Sequence, residues 1–343
     1  MRRFSAALLA LTALAFAGAQ TPPPDSLDIY FIDVEGGQST LFVTPSGQSL
    51  LVDAGWPGFE GRDADRIAAA AAGAGVKRLD YLLVTHYHAD HVGGVPAIAK
   101  RLPVGTFVDH GPSVESGERP DALYKSYVDA KGSGRHLQVK PGDALPLNGV
   151  DVRVVSSGGD VISRPLPGAG ADNPLCRDFK PLDEDKTENA RSVGIVLAYG
   201  SFRMIDIGDL TWNKEHDLVC PKNLIGTVDL YLTTHHGLDI SGAPVIVHAI
   251  RPRVAVMNNG AKKGGTPRAW QTVRDSPGLQ DLWQLHYAVD AGAAHNAPEP
   301  FIANLDEKTS YGIKVSARRD GSFAVTNART NQTKRYEAAT SRF

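Results

Sequence analysis

His86-Tyr87-His88-Ala89-Asp90-His91 puts three imidazoles and a carboxylate within six residues. Ring nitrogen together with carboxylate oxygen is a donor set for Zn²⁺, and also for Mn²⁺ or Fe. The cluster follows an apolar run, 79–84, that reads as a buried strand; Gly93-Gly94 comes next, before an apolar segment that restarts as a helix. Polar groups at the end of a buried strand need compensation, and a bound metal ion provides it. Other candidate ligands recur in the same position, just after a predicted strand: His110, Asp209, and His235 or His236. Loops at strand ends can converge on one edge of a layered fold. A carboxylate such as Asp209 can bridge two ions held roughly 3.5–4 Å apart. His136, His216, His248, His286 and His295 lack that placement and are read as surface residues.

The elements that must carry these residues follow from periodicity. Alternating or apolar runs at 27–34, 39–44 and 49–52 form a β-meander, with Pro45-Ser46-Gly47-Gln48 as a turn. Helices are expected at 64–73, 95–101 and 121–131, and strands at 104–108 and 150–155. Strands return at 193–199, 202–207 and 228–233, then a helix at 243–250, a strand at 253–257 and a short helix at 270–274. A hairpin, 311–315 with 323–326, closes the chain around Asp320-Gly321. This order suits two packed sheets with helices outside. The segment 158–187, rich in Gly, Pro and Asp, is the longest candidate loop or insertion, and the region beyond 257 is a C-terminal extension.

The chain has 343 residues, 42% apolar and 22% charged, with a formal charge of −2. That composition suits a globular protein with a sizeable core. The net charge exerts no global pull toward nucleic acid or anionic membrane. Arg2-Arg3, an apolar stretch at 6–16 and Ala17-Gly18-Ala19 read as a signal peptide (1–19) cleaved near Ala19/Gln20. A Pro-rich leader (20–26) and one domain (27–343) follow, with no integral membrane segment after cleavage. The expected location is periplasmic or secreted. There Cys176, near Pro174, and Cys220, next to Pro221, are a candidate disulfide. Lys262-Lys263-Gly264-Gly265 reads as a solvated turn, with contact to an anionic substrate as the alternative. Trp56, Trp270, Trp283 and Tyr87 are read as core, Tyr87 also as a possible lining of the site mouth.

The His86-x-His88-x-Asp90-His91 run resembles the H-x-H-x-D-H signature of the metallo-β-lactamase superfamily. Asp53 in Leu51-Val52-Asp53-Ala54-Gly55, Gly208-Asp209 and His235-His236-Gly237 are similar to its other motifs. The resemblance spans about 27–257 and implies an α/β fold, the αββα sandwich of two mixed sheets flanked by helices. It also implies a hydrolytic site with two divalent ions, most commonly zinc, with Mn or Fe as alternatives. Within the superfamily, Phe31-Ile32-Asp33-Val34-Glu35-Gly36-Gly37-Gln38-Ser39, Asn189-Ala190-Arg191-Ser192-Val193 and His235-His236-Gly237-Leu238 resemble the exported domain of the ComEC/Rec2 competence proteins. Gln38 departs from that pattern, where an acidic residue is usual, as does Thr266-Pro267, where His-Pro is common. The competence channel is absent, so a free-standing relative is expected and DNA uptake does not carry over.

The resemblance implies His86, His88 and Asp209 at a first ion, and Asp90, His91, Asp209 and one of His235/His236 at a second. The family's third histidine of the first site has no counterpart near 187–189. Asn189 or Glu188 could supply an oxygen there, His110 could substitute, or the site could be open and weaker. Asp53 is expected to accept a ring N–H from a metal histidine. The expected function is hydrolysis by a metal-bound hydroxide, with Asp90 or Asp209 taking a proton, on a phosphodiester or other phosphoester. An acyl hydrolase (lactonase or β-lactamase-like) and a non-catalytic metal-binding protein are the alternatives. The partner is a small-molecule or phosphoester substrate.

Overall fold

The structure, a computed structural model, describes residues 25–339. The signal-peptide expectation at 1–19 and most of the leader lie outside those residues. Among the described residues, two nine-stranded sheets pack face to face. The first runs in the order Gln332–Tyr336, Phe323–Asn327, Ile313–Ala317, Leu27–Phe31, Thr40–Val43, Ser49–Val52, Leu79–Leu83, Val104–Asp109, Arg135–Gln138. Its last four strands pair in parallel. The second runs Ile302–Asn304, Asp281–His286, Val254–Met257, Leu230–Leu232, Phe202–Asp206, Gly194–Tyr199, Asp151–Ser157, Ala144–Leu145, with Asp160–Val161 branching from Asp151–Ser157. It is parallel from Phe202–Asp206 to Ile302–Asn304.

Three apolar layers hold this together. Phe31, Val52, Leu83, Leu197, Leu232 and Trp283 belong to the layer between the sheets. Ile67, Leu82, Val95, Ile98 and Tyr127 fill the space under Arg62–Gly73, Val95–Arg101 and Glu118–Lys131 on the first sheet. Ile205, Leu218, Ile246 and Val273 do the same under Trp212–Val219, Pro244–Ile250 and Pro267–Arg274 on the second. Helix, sheet, sheet, helix is therefore the layer order, the αββα sandwich.

The region beyond residue 257 is built into both sheets. Ile313–Ala317 pairs with Leu27–Phe31, and Asp281–His286 pairs with Val254–Met257. The closing hairpin carries a third strand, Gln332–Tyr336. In the 158–187 segment, Cys176 is disulfide-bonded to Cys220, with Cα atoms 5.8 Å apart. The parallel halves matter most for function. Strands that share a direction end at a common edge, and crevices outside the C-terminal ends of parallel strands are where open α/β sheets bind ligands.

Candidate metal centre

Four of those strand ends supply the site. Ser49–Val52 leads into Asp53, Leu79–Leu83 into the histidine run, Phe202–Asp206 into Asp209, and Leu230–Leu232 into His235 and His236. A four-residue helix, Ala89–Val92, turns Asp90 and His91 inward. Gly94 behind it admits the Ala54 carbonyl, which any Cβ there would overlap. The close packing sets the 53–57 loop directly against the helix.

Asp53 is fully buried. It accepts from the Thr85 N–H (2.8 Å), the Thr85 hydroxyl (2.7 Å) and His91 Nδ1 (2.7 Å). A carboxylate only accepts, so His91 carries its proton on Nδ1 and turns the Nε2 lone pair inward. The same logic fixes His86. The Thr85 hydroxyl spends its one hydrogen on Asp53, so His86 Nδ1 donates to Thr85 Oγ1 at 3.1 Å. His86 Nε2 is then a lone pair, buried and without a hydrogen-bond partner among the described residues.

Asp90, His91, Asp209 and His236 each turn one donor atom into a common space, all within 4.8 Å of one another. His91 Nε2 lies 3.2 Å from both His236 Nε2 and Asp209 Oδ2. His236 Nε2 lies 3.2 Å from Asp90 Oδ2 and 3.5 Å from Asp209 Oδ1. Asp209 Oδ1 has no hydrogen-bond partner, and His86 Nε2 stands 3.9 Å from Asp209 Oδ2. Burial pushes both carboxyls up, but the surrounding histidines, and Lys263 beside Asp90, hold them well below the usual range. Two carboxylates, converging ring nitrogens and orphaned buried acceptors fit a divalent cation.

The first-ion residues are arranged differently. His88, 30% exposed at its side chain, donates Nε2 to Glu115 Oε1 at 3.1 Å, which leaves Nδ1 as its free nitrogen. His110 is drawn to Glu188 at 2.9 Å. Both Glu188 oxygens are occupied, by Tyr87 N, His110, Ser113 and Val114. Neither His110 nor Glu188 joins the four-residue group. Asn189 is buried beside them with its Oδ1 unpartnered.

Three readings need correction. His286 is fully buried, where a surface residue was expected, and donates to Asp33 at 2.8 Å. The buried side of the strand Asp281–His286 demands a partner for its imidazole. His136 is exposed, as expected of a surface residue, with its ring paired to Asp109 at 2.8 Å. The solvated turn at 262–265 is solvated only in part. Lys262 pairs with exposed Glu307, but Lys263 bonds to Asp90 and lies 4.8 Å from the Trp56 ring. Trp56 lines the cleft rather than the core.

Asp206 was missed. Its carboxyl accepts from Gln38 Nε2 at 3.1 Å on each oxygen. Burial pushes it up to about 6. Gln38, the departure from the competence pattern, is thus the neutral partner of a buried acid. The Phe202–Asp206 run ends on that aspartate three residues before Asp209, a signal masked by the stronger Gly208-Asp209 match.

A cleft of about 320 Å³ opens onto this group, bordered by Trp56, His88, Asp90, Asp209, His235 and Lys263. The fold and the donor set define a metal-dependent hydrolase. Residues 33–171 match the model of the metallo-beta-lactamase superfamily. It is 26% identical over 263 residues to the competence protein ComA of Neisseria gonorrhoeae, covering 74% of this chain and 30% of ComA. A 95-residue stretch is 44% identical to ribonuclease Z of Bradyrhizobium sp. (strain ORS 278), 28% of this chain and 29% of that enzyme. The chain thus spans less than a third of either relative. A solved metal-dependent hydrolase of the beta-lactamase superfamily aligns at TM-score 0.45 and 14% identity, over 76% of this chain and 96% of that one.

Proposed function

We propose that this protein hydrolyses a phosphoester, a phosphodiester in particular, with two divalent ions, zinc foremost. Asp90, His91, Asp209 and His236 hold one ion; His86, His88 and Asp209 hold the other, which has fewer protein ligands and binds more weakly. Bound ions supply Lewis acidity and lower the pKa of water from 15.7 toward about 7. Asp53 and Glu115 keep His91 and His88 in the tautomers that ligation needs.

The observation that carries the phosphoester reading is Lys263. Its ammonium group reaches into the cleft against Asp90 and Trp56. A fixed cation beside a metal group suits an anionic phosphoryl oxygen. The likeness to a ribonuclease and to a competence protein supports the same choice of bond. The test is a panel of bis-p-nitrophenyl phosphate, nitrocefin and simple lactones against the metal-loaded protein. Turnover of the phosphodiester alone is expected; turnover of nitrocefin or a lactone alone would assign acyl chemistry.

We also propose export, with cleavage near Ala19/Gln20. The Cys176–Cys220 disulfide supports an oxidising compartment. N-terminal sequencing of protein from a periplasmic or culture fraction is expected to begin near Gln20.

A further inference from the structure

His235 and His236 are sequence neighbours with opposite surroundings. The Thr234–Gly237 turn holds His235, His236 and Gly237 all at positive φ (53°, 57° and 76°). Consecutive left-handed residues of this kind cost energy and cluster at functional sites. They send the two rings apart, with centroids 6.1 Å from each other. His236 is fully buried, and its Nε2 meets donor atoms of Asp90, His91 and Asp209. His235 is 7% exposed and borders the cleft. Its Nε2 faces one group, Asp209 Oδ2 at 3.2 Å. Its Nδ1 faces the buried Ser241 hydroxyl, also at 3.2 Å.

A carboxylate can only accept, whereas a hydroxyl can donate. Ser241 can donate to Nδ1, which leaves Nε2 as the hydrogen-bearing nitrogen of a neutral His235, free to donate to a substrate oxygen. The two histidines differ by place: His236 Nε2 lies among the converging atoms of Asp90, His91 and Asp209, whereas His235 stands outside that group at the cleft. We infer that His236 is the metal ligand of the pair and that His235 is a substrate-contacting residue. Its Nε2–H donates to a phosphoryl oxygen bound in the cleft, and Ser241 fixes the tautomer that makes this possible. This rests on the phosphoester reading above.

The test pairs metal content with two functional readouts on the metal-loaded protein. His235→Asn is the variant of choice, because asparagine tolerates positive φ. It is expected to keep the wild-type metal content while kcat on bis-p-nitrophenyl phosphate falls roughly 10²-fold, the scale for losing one transition-state donor. The affinity for inorganic phosphate, by calorimetry, is expected to fall about tenfold. Ser241→Ala is expected to give a smaller loss in the same direction. His236→Asn is expected to lose metal. Loss of a metal equivalent in His235→Asn would overturn the inference, since His235 would then be a ligand. Unchanged turnover and phosphate affinity at full metal would overturn it as well. If the wild type spares the phosphodiester, the phosphoester reading fails, and the phosphate affinities of the two proteins still decide the role of His235.

Discussion

Two regions of this molecule gather carboxylates around histidine, and they are not equivalent. Asp90, His91, Asp209 and His236 converge at the cleft; Asp33, Glu35 and His286 converge in a second group. By composition either could hold a metal. In the second, Arg66 bonds Asp33 Oδ2 and Glu35 Oε1, each at 3.0 Å, and His286 donates to Asp33 Oδ1. The guanidinium supplies both the charge and the hydrogen bonds a cation would. In the first, Lys263 pairs with Asp90, but His86 Nε2 and Asp209 Oδ1 remain orphaned and ring nitrogens face one another. In the second only His286 Nδ1 lacks a partner among the described residues, and both carboxylates are paired. What marks a metal centre is several unspent ligand atoms facing one another, not a count of acids and histidines.

The largest effect expected from that contrast is on activity. Asp90→Ala or His236→Ala should lower turnover by about 10³-fold or more, because the ions contribute several kcal/mol at the transition state. His286→Ala should leave turnover within about tenfold of wild type. Equal losses at both clusters in a turnover assay would erase the distinction. On stability the contrast reverses: Arg66→Ala strands two carboxylates and should cost about 3 kcal/mol in urea unfolding.

A third way to bury a carboxylate sharpens the point. Glu215 is held by neutral donors, the Gly242 and Ala243 N–H groups at 2.9 Å each and the Thr234 hydroxyl. Burial pushes it up to about 7, from an ordinary 4.5. A raised carboxyl favours the folded state when protonated. Its contribution is fully present below pH 4.5 and is lost as the pH rises through about 7. Relative to Glu215→Gln, the wild type should lose roughly 3 kcal/mol between pH 4 and 8. Parallel stability curves across that range would show that Glu215 titrates normally. The smallest effect is at Asp53. Asp53→Asn keeps the shape but weakens the hold on His91, and should lower metal affinity about 10–100-fold in a competition titration.

Much of this was legible beforehand, for identifiable reasons. The strands Ser49–Val52 and Val254–Met257, and the helix Val95–Arg101, fell where apolar runs and flanking glycines put them. The 86–91 run announced itself because four potential ligands on one short turn have little other use. The helix Trp212–Val219 was not legible, since Glu215 sits in the middle of its buried face and breaks the apolar pattern. The strand Asp281–His286 was hidden likewise. Gln284 and His286 lie inside it fully buried, satisfied by Asn296 and Asp33, residues distant in the chain or across a turn. The choice between His235 and His236 depends on backbone dihedrals, which residue types alone do not specify. The missing third histidine has a physical counterpart too. The space near 188–189 is occupied by a Glu188–His110 pair that ties the 110–114 loop to Tyr87.

The most direct test of the central claim is the divalent metal content, by elemental analysis, of wild type, His236→Ala and His286→Ala after chelation and reconstitution with zinc. At least one tightly held equivalent in wild type and in His286→Ala, with its loss from His236→Ala, is the predicted result. Retention of that equivalent in His236→Ala, or its loss from His286→Ala, would contradict the account.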